Sequence, residues 1–474
     1  MRKHIVFIVI LLIASISATV VLVDRLDDAK TNIRIIENVI YGDKSVAEGI
    51  TVSELSQYDN HLIWDTVYKI SAEPTVNTEY SFYSTEKHYD SLTYHGLNVA
   101  LRDGYGCDFK KPAEKQTGIA KAYKELFDDT PAGEEKNRVI QLVDYYTYYP
   151  ISLNIDIPDL YWYGGNLIDI EEYRSEKNVH DRFAAFFKIP MLETEFEHIS
   201  VGKDIYGNLS MTGSGSGDSD TTTERYTPET VSAFGGNICY FSFSNRTNLG
   251  NAVDTSLIEG GYGIYKVNYT TGKYIDKNGI FTTGVVSESL STCYPLSETQ
   301  SVCEMWLSED GKNLFCIILD TENNAILTQI ETDSMETVAS LSLGNNIEKY
   351  GICVYPYKSF SAIMINDIIT VVSPNSKGEY ELRFKTPLTE YVNGGFKWLS
   401  ESAVMDYNGE RLVVVGYIPE KRFMTYLTCD FYVAVYGSNG IEFYAEYQNS
   451  LSVNSYSGSY KANCHPEKLC VKWK

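Results

Sequence analysis

Phe431-Tyr432-Val433-Ala434-Val435-Tyr436-Gly437-Ser438-Asn439-Gly440-Ile441-Glu442-Phe443 reads as a strand, a tight polar turn and the start of a second strand. β-Branched and aromatic residues suit a pleated surface, and the Gly-Ser-Asn-Gly run supplies the backbone freedom of a short hairpin. Another apolar strand, Leu412-Val413-Val414-Val415-Gly416, precedes it. The stretch is therefore one copy of a strand followed by a two-strand hairpin.

Similar copies occur upstream. Tyr265–Tyr274 turns at Thr270-Thr271-Gly272, Leu327–Ala339 at Thr332-Asp333-Ser334, and Ile369–Tyr380 at Pro374-Asn375-Ser376. Phe196–Asp204 fits less closely. Apolar strands at Phe183–Ile189, Ile238–Phe243, Leu314–Leu319 and Ser361–Ile365 precede these copies. The spacing is roughly 40–60 residues, the length of a four-stranded propeller blade with variable loops. A lone sheet of this size cannot bury both faces, whereas stacked sheets can. The expected fold class is all-β, a β-propeller of about seven blades (six to eight), with a β-sandwich array as the alternative.

The turn Leu307-Ser308-Glu309-Asp310-Gly311-Lys312-Asn313-Leu314 resembles the Ser-Pro-Asp-Gly-Lys-x-Leu turn of the TolB-like and YVTN-like propeller repeats. Met405-Asp406-Tyr407-Asn408-Gly409-Glu410-Arg411-Leu412 resembles it more loosely. Glu309 stands where the repeat has Pro, and the second turn lacks the Ser. The resemblance covers two turns and their flanking strands. It implies propeller architecture and names no ligand.

The first residues decide the compartment. After Met-Arg-Lys-His, the run from Ile5 to Val23 is 19 residues without a charge. At 1.5 Å per residue it spans roughly 28 Å, close to a hydrocarbon core of about 30 Å. Arg2 and Lys3 keep the short side cytoplasmic, so the body is exported. A cleaved signal peptide has a shorter apolar region and a small-residue exit. Here Ile16-Ser17-Ala18 is followed by more apolar residues, which favours an uncleaved anchor. The expected organisation is a cytoplasmic stub at 1–4, a transmembrane anchor or signal sequence at 5–23, a charged stalk at 24–45 and the propeller-like domain at 46–474.

Two segments interrupt the alternation of that domain. Ile119, Tyr123, Leu126 and Phe127 recur at helical spacing. Val139, Ile140, Leu142, Val143 and Tyr146 then follow a Thr130-Pro131 cap. Together they predict two helices, about 116–128 and 131–146, as a helical insertion near 116–146. Residues 207–230, rich in Gly, Ser and Thr, read as a flexible loop.

The 474 residues carry 40 basic and 63 acidic side chains, a net charge of −23. That field repels phosphate backbones and excludes nucleic acid as a partner. Nine cysteines in so long a chain are not a disulfide scaffold. Cys464 and Cys470 bracket a five-residue loop and form the candidate disulfide, with Cys293 and Cys303 a weaker pair. A zinc site at 464–470 lacks a fourth ligand.

The chemistry-bearing motifs are few. Gly213-Ser214-Gly215-Ser216-Gly217 puts Gly where a nucleophile elbow needs Ser. No phosphate-cradling loop and no His-Glu-x-x-His occurs. His88 and His95, near Asp90 and Asp103, are better explained as loop histidines than as metal ligands. The constellation with most chemistry is Tyr161-Trp162-Tyr163 edged by Asp159 and Asp169. An aromatic platform bordered by carboxylates suits stacking on a sugar ring, and loop packing between strands explains it equally. No catalytic residue, metal or cofactor is expected.

The expected role is binding or scaffolding at the cell membrane, with a protein or glycan partner outside the cell. The alternatives are an accessory or sensor subunit of a neighbouring membrane complex, and a carboxylate-dependent glycosidase or lyase.

Overall fold

The computed structural model describes residues 2–58, 62–82, 96–100, 107–150, 152–156, 177–215, 223–273, 281–345, 347, 352–366, 368–387, 403–419, 427–450 and 464–473. The chain forms two compact units, Met1–His88 with Tyr350–Lys474, and Tyr89–Lys349. The first run comprises helix α1 (Arg2–Thr31) and strands β1 (Ile35–Gly42), β2 (Ile50–Tyr58), β3 (Leu62–Lys69) and β4 (Thr75–Phe82). The middle run begins with β5 (Gly96–Ala100), α2 (Gly118–Asp128), β6 (Glu135–Gln141), β7 (Ser152–Asp156), α3 (Lys177–Phe186), β8 (Phe196–Lys203) and β9 (Leu209–Gly215). It continues through β10 (Thr230–Gly235), β11 (Ile238–Phe243), β12 (Gly263–Lys273), β13 (Phe281–Pro295), β14 (Ser301–Leu307), β15 (Asn313–Leu319), β16 (Ala325–Glu331) and β17 (Thr337–Gly344). The last run is β18 (Ile352–Pro356), β19 (Ser361–Ile365), β20 (Ile368–Pro374), β21 (Tyr380–Pro387), β22 (Val404–Tyr407), β23 (Leu412–Pro419), β24 (Leu427–Gly437), β25 (Gly440–Asn449) and β26 (Cys464–Trp473).

In the unit built from the two ends of the chain, three antiparallel sheets stack in series. Their orders are β18-β19-β20-β21, β1-β25-β24-β23-β22 and β26-β2-β3-β4. The middle sheet is greasy on both faces because its strands alternate between two cores. Leu412 and Val414 of β23, with Tyr432, Ala434 and Tyr436 of β24, pack on the β18–β21 sheet. Val413, Val415, Phe431, Val433 and Val435 pack on the β26-β2-β3-β4 sheet. A one-residue slip would exchange the two sets, so register and stacking fix each other. Full burial of each such side chain contributes about 1.5–3 kcal/mol.

The first and last strands are exchanged between the middle sheet and the β2–β4 sheet of this seam. The last strand, β26, pairs with β2 from Ile50↔Trp473 to Tyr58↔Cys464 and completes the sheet of the first hairpins. The first strand, β1, pairs with β25 from Ile35↔Asn449 to Gly42↔Phe443 and completes the sheet of the last hairpins. Neither sheet therefore depends on a contiguous piece of sequence.

The middle unit uses the same device. Sheets β10-β11-β12-β13 and β14-β15-β16-β17 stack through Ala233, Tyr240, Ile264, Met305, Leu314 and Cys316. Phe183 and Phe186 of α3, with Phe187 just beyond it, cover the other face of the β10–β13 sheet against Phe241, Phe243 and Tyr265. Helix α2 lays Ile119, Ala122, Tyr123 and Leu126 on the sheet β6-β8-β9, and β5 pairs with β7. Four-stranded meanders stacked face to face make the fold propeller-like, and both turns of the sequence resemblance join the first two strands of a meander. In the first of them Ser308 Oγ donates to Asp310 Oδ1 at 2.7 Å and Asp310 accepts the Lys312 N–H at 3.1 Å. These bonds, the Ser308 hydroxyl first, hold the Asp310 carboxyl below the usual carboxylate range.

Several expectations need correction. Residues 131–146 are not a second helix: Glu135–Gln141 is a strand paired with β8, leaving Ile140 buried and Val139 exposed. Helical spacing of short apolar runs is ambiguous, and the partner strand decided. The same ambiguity ran the other way at Phe183–Ile189, which begins as helix α3. The stalk at 24–45 is the end of α1 followed by β1. Within the loop of 207–230, Leu209–Gly215 is a strand on β8. The turn read at Thr270–Gly272 lies inside the continuous strand β12. Cys464 and Cys470 stand on one extended strand, which separates them by roughly 20 Å, far beyond disulfide reach, and Cys470 is free. Cys293 and Cys303 form no disulfide either.

One packing detail gives a test. The Tyr436 hydroxyl is buried without a hydrogen-bond partner, whereas the Tyr68 hydroxyl donates to Glu37 Oε2 at 3.2 Å. Tyr436→Phe should be neutral or stabilising by up to about 1 kcal/mol, and Tyr68→Phe should cost about 1 kcal/mol. Urea unfolding midpoints read both, and the opposite order would contradict the packing.

Candidate functional site

The aromatic platform read from sequence, Tyr161, Trp162, Tyr163, Asp159 and Asp169, lies outside the described residues. So do His88 and His95. Among the described residues no group of three or more His, Cys, Asp or Glu side chains could hold a metal ion. Among the described residues, three places with buried polar groups are candidate sites.

The first lies at the seam where the chain ends are exchanged. Strand β2 alternates inward at Ile50, Val52, Glu54 and Ser56, so a carboxylate occupies a core position. Glu54 is 2% exposed and Asn449 of β25 is fully buried. Asn449 Nδ2 donates to Glu54 Oε2 at 2.9 Å, and Ser56 Oγ donates to Oε1 at 3.0 Å. Asp430 Oδ1 takes the Asn449 backbone N–H at 2.9 Å. Beside them Thr78 Oγ1 donates to Thr66 Oγ1 across β3 and β4. Trp64, opposite Ser56, buries an indole N–H without a partner. Both Glu54 oxygens thus hold donors, one of them 395 residues away in sequence. This arrangement suits a register lock between sheets better than proton transfer or nucleophilic attack.

Breaking the lock should be measurable. Glu54→Ala should cost about 2–3 kcal/mol, because it strands buried donors. Combined with Asn449→Ala it should show a coupling of about 1–3 kcal/mol in a double-mutant cycle. Additive losses in urea unfolding would contradict a direct lock.

The second place is in the middle unit. Glu195 is 8% exposed, and its Oε1 accepts the Tyr149 hydroxyl at 2.9 Å and the Tyr226 N–H at 2.7 Å. Burial, then the Glu195 charge, pushes the Tyr149 phenol far up, so it stays a neutral donor. The third is a cavity of about 180 Å³ lined by Cys107, Phe109, Ile119, Tyr123, Thr212 and Gly213, among others. Burial raises the Cys107 thiol, which donates to the Ala120 carbonyl at 3.3 Å. A thiol held protonated is a weak nucleophile.

Sequence reasoning missed these groups. Glu54 had a signal, a charged residue at an inward position of an alternating strand. Asn449, Glu195 and Tyr149 had none, because only the fold brings their partners together.

Compared with known protein families and with curated proteins, the sequence finds no match. Solved structures do align. The β-propeller domain of the Trilobed protease from Pyrococcus furiosus matches at 10% identity, covering 52% of this chain and 64% of that domain, with a TM-score of 0.20. The aligned part is thus under two thirds of that domain. A putative 6-phosphogluconolactonase from Bacteroides uniformis matches at 11% identity over 60% of this chain and 70% of that one, with a TM-score of 0.26. A Lactobacillus plantarum protein matches at 11% identity over 58% and 67%, with a TM-score of 0.22.

Proposed function

We propose that this chain is a membrane-anchored, extracytoplasmic protein of binding or scaffold type, built on a propeller of about seven blades. One observation carries the reading. The 18-residue apolar window of α1 has a mean hydropathy of 3.0 and is 0% buried, and the helix runs into β1, a strand locked in the folded unit. A core helix of a soluble protein would be covered by its own fold, and 28 residues from His4 to Thr31 are ample for a hydrocarbon core. Arg2 and Lys3 orient the folded part outward. Rigid stacked sheets with loops at their ends suit presentation of a surface to a protein or glycan outside the cell. The net charge of −23 argues against nucleic acid.

The test has two parts. The full chain, expressed with a tag at each end, should resist alkaline carbonate extraction, with the C-terminal tag cleaved by external protease and the N-terminal tag protected. Extraction, or the reverse protection, would sink the anchor. Cross-linking on intact cells should then recover a defined surface partner or glycan. Recovery of none, together with no glycan-induced rise in melting temperature, would sink the binding role.

A further inference from the structure

The sheet β6-β8-β9 is filled under α2 on two of its strands and not on the third. Ile140 of β6, with Ile199 and Val201 of β8, is buried against Ile119, Ala122, Tyr123 and Leu126 of the helix. On β9 the residues in register with Ile199 and Val201 are Ser214 and Thr212. Cross-strand partners share a face, so both hydroxyl side chains lie on the helix side of the sheet. Both are exposed, and both are too short to reach the helix. The space left between α2 and β9 is the cavity of about 180 Å³. An unfilled cavity costs stability in proportion to its volume, and larger apolar residues at 212 and 214 would close it.

The walls of the cavity are held apart rather than loosely packed. The Tyr123 hydroxyl donates to the Gly213 carbonyl at 2.9 Å and ties α2 to β9 across the gap. Half-buried Cys107 and Phe109, from the segment before α2, close another side. Phe109 packs on Phe127 of the helix, with ring centroids 5.0 Å apart, which fixes that wall. Burial pushes the Cys107 thiol up, so it stays neutral. Among the described residues no charged side chain lines the cavity, in a chain with 40 basic and 63 acidic residues. The site is therefore apolar on the helix side, hydroxylated on the strand side and uncharged throughout. A cavity of roughly 150 Å³ is enough to hold one benzene ring.

We propose that this cavity is a binding site for a small uncharged ring bearing one hydroxyl, of the size of a phenol. Phe109, Ile119 and the ring of Tyr123 cover the apolar part of the ligand, and Thr212 or Ser214 meets its hydroxyl. A few placed polar groups on an otherwise apolar wall are the usual build of a small-molecule site. A charged ring is rejected, because no counter-charge lines the walls and burying an unpaired charge is costly. The site goes beyond presentation of a surface and does not depend on the membrane anchor. It lies wholly within Tyr89–Lys349, the unit that does not carry α1.

The experiment uses the full chain in detergent micelles, carrying carbon-13 at its isoleucine δ1 methyl groups. The Ile119 resonance is assigned by its loss in Ile119→Leu and followed by NMR as phenol is added. It should move saturably, with half the change at about 1 mM or below, the affinity open to a ligand of so few atoms. Benzoate, a ring of similar size with a charge, should leave it in place. Ala120→Phe fills the cavity from the helix and should abolish the phenol shift. Ser214→Phe fills it from the exposed strand and serves if the first variant fails to fold. Phenol enters the micelle equally in every variant, so the comparison isolates the cavity. No shift by about 10 mM phenol, an equal shift with benzoate, or a shift that survives the filled cavity would overturn the site.

Discussion

Removal of residues 464–474 should abolish the fold of the unit that carries the chain ends. Strand β26 is the inner edge of the sheet formed by the first hairpins, paired with β2 along its whole length. Leu469 is buried in the seam core, and Val471 and Trp473 pack against it. The Trp473 backbone N–H donates to Asp406 Oδ2 at 2.6 Å, and its indole N–H donates to the Glu48 carbonyl at 3.3 Å. Deletion exposes this core and leaves the β2 edge unpaired. The loss is on the order of 5 kcal/mol or more, as large as the whole stability of a typical domain. Limited proteolysis should show cleavage within strands β2, β3, β23 and β24 in the truncated chain but not in the full one. Adding the peptide 464–474 should restore resistance by strand complementation. A truncated chain as resistant as the full one would contradict the exchange of strands.

Gly42→Ala should be the most damaging single substitution of the seam. Gly42 has φ +81°, and a Cβ there would overlap the backbone carbonyl oxygen of Glu442 on β25. The left-handed conformation alone costs a residue with a side chain about 1–2 kcal/mol. The overlap adds displacement of a backbone that cannot swing aside, so β1 must peel from β25 at that end. A total loss of about 3 kcal/mol or more follows. Gly378, at φ +83° with nothing within 4 Å of its would-be Cβ, isolates the first contribution. Gly378→Ala should lose about 1–2 kcal/mol in the same urea titration. Equal losses at the two positions would mean that β1 is not held against β25.

The sequence carried the fold unevenly, for reasons the residues show. Hairpins β20–β21 and β24–β25 were legible because β-branched and aromatic runs there are broken by Asn, Gly and Ser at the turn. The apolar run Ile5–Val23 was legible by length and lack of charge alone. The exchange of β1 and β26 was not. Ile35–Gly42 is exposed along most of its length, so its alternation is weak, and its charged flanks make it look like a stalk. Its partner lies some 400 residues away, and no local pattern encodes that pairing. Short apolar runs at 139–146 and 183–189 fit either period, and neighbouring strands settled each case. For function, the register lock at Glu54 left a faint trace, a carboxylate on an inward position, while its partner Asn449 left none.

The claim that organises this account is that the first and last strands, β1 and β26, are built into the seam rather than trailing from it. Hydrogen exchange of the full protein reads it directly. Amides of Ile36–Tyr41 and Leu469–Lys472 that face β25 and β2 should exchange on the slow timescale of the buried strands β23 and β24. Exchange of both segments within seconds, with β23 and β24 still protected, would show the ends to be free and would contradict the account.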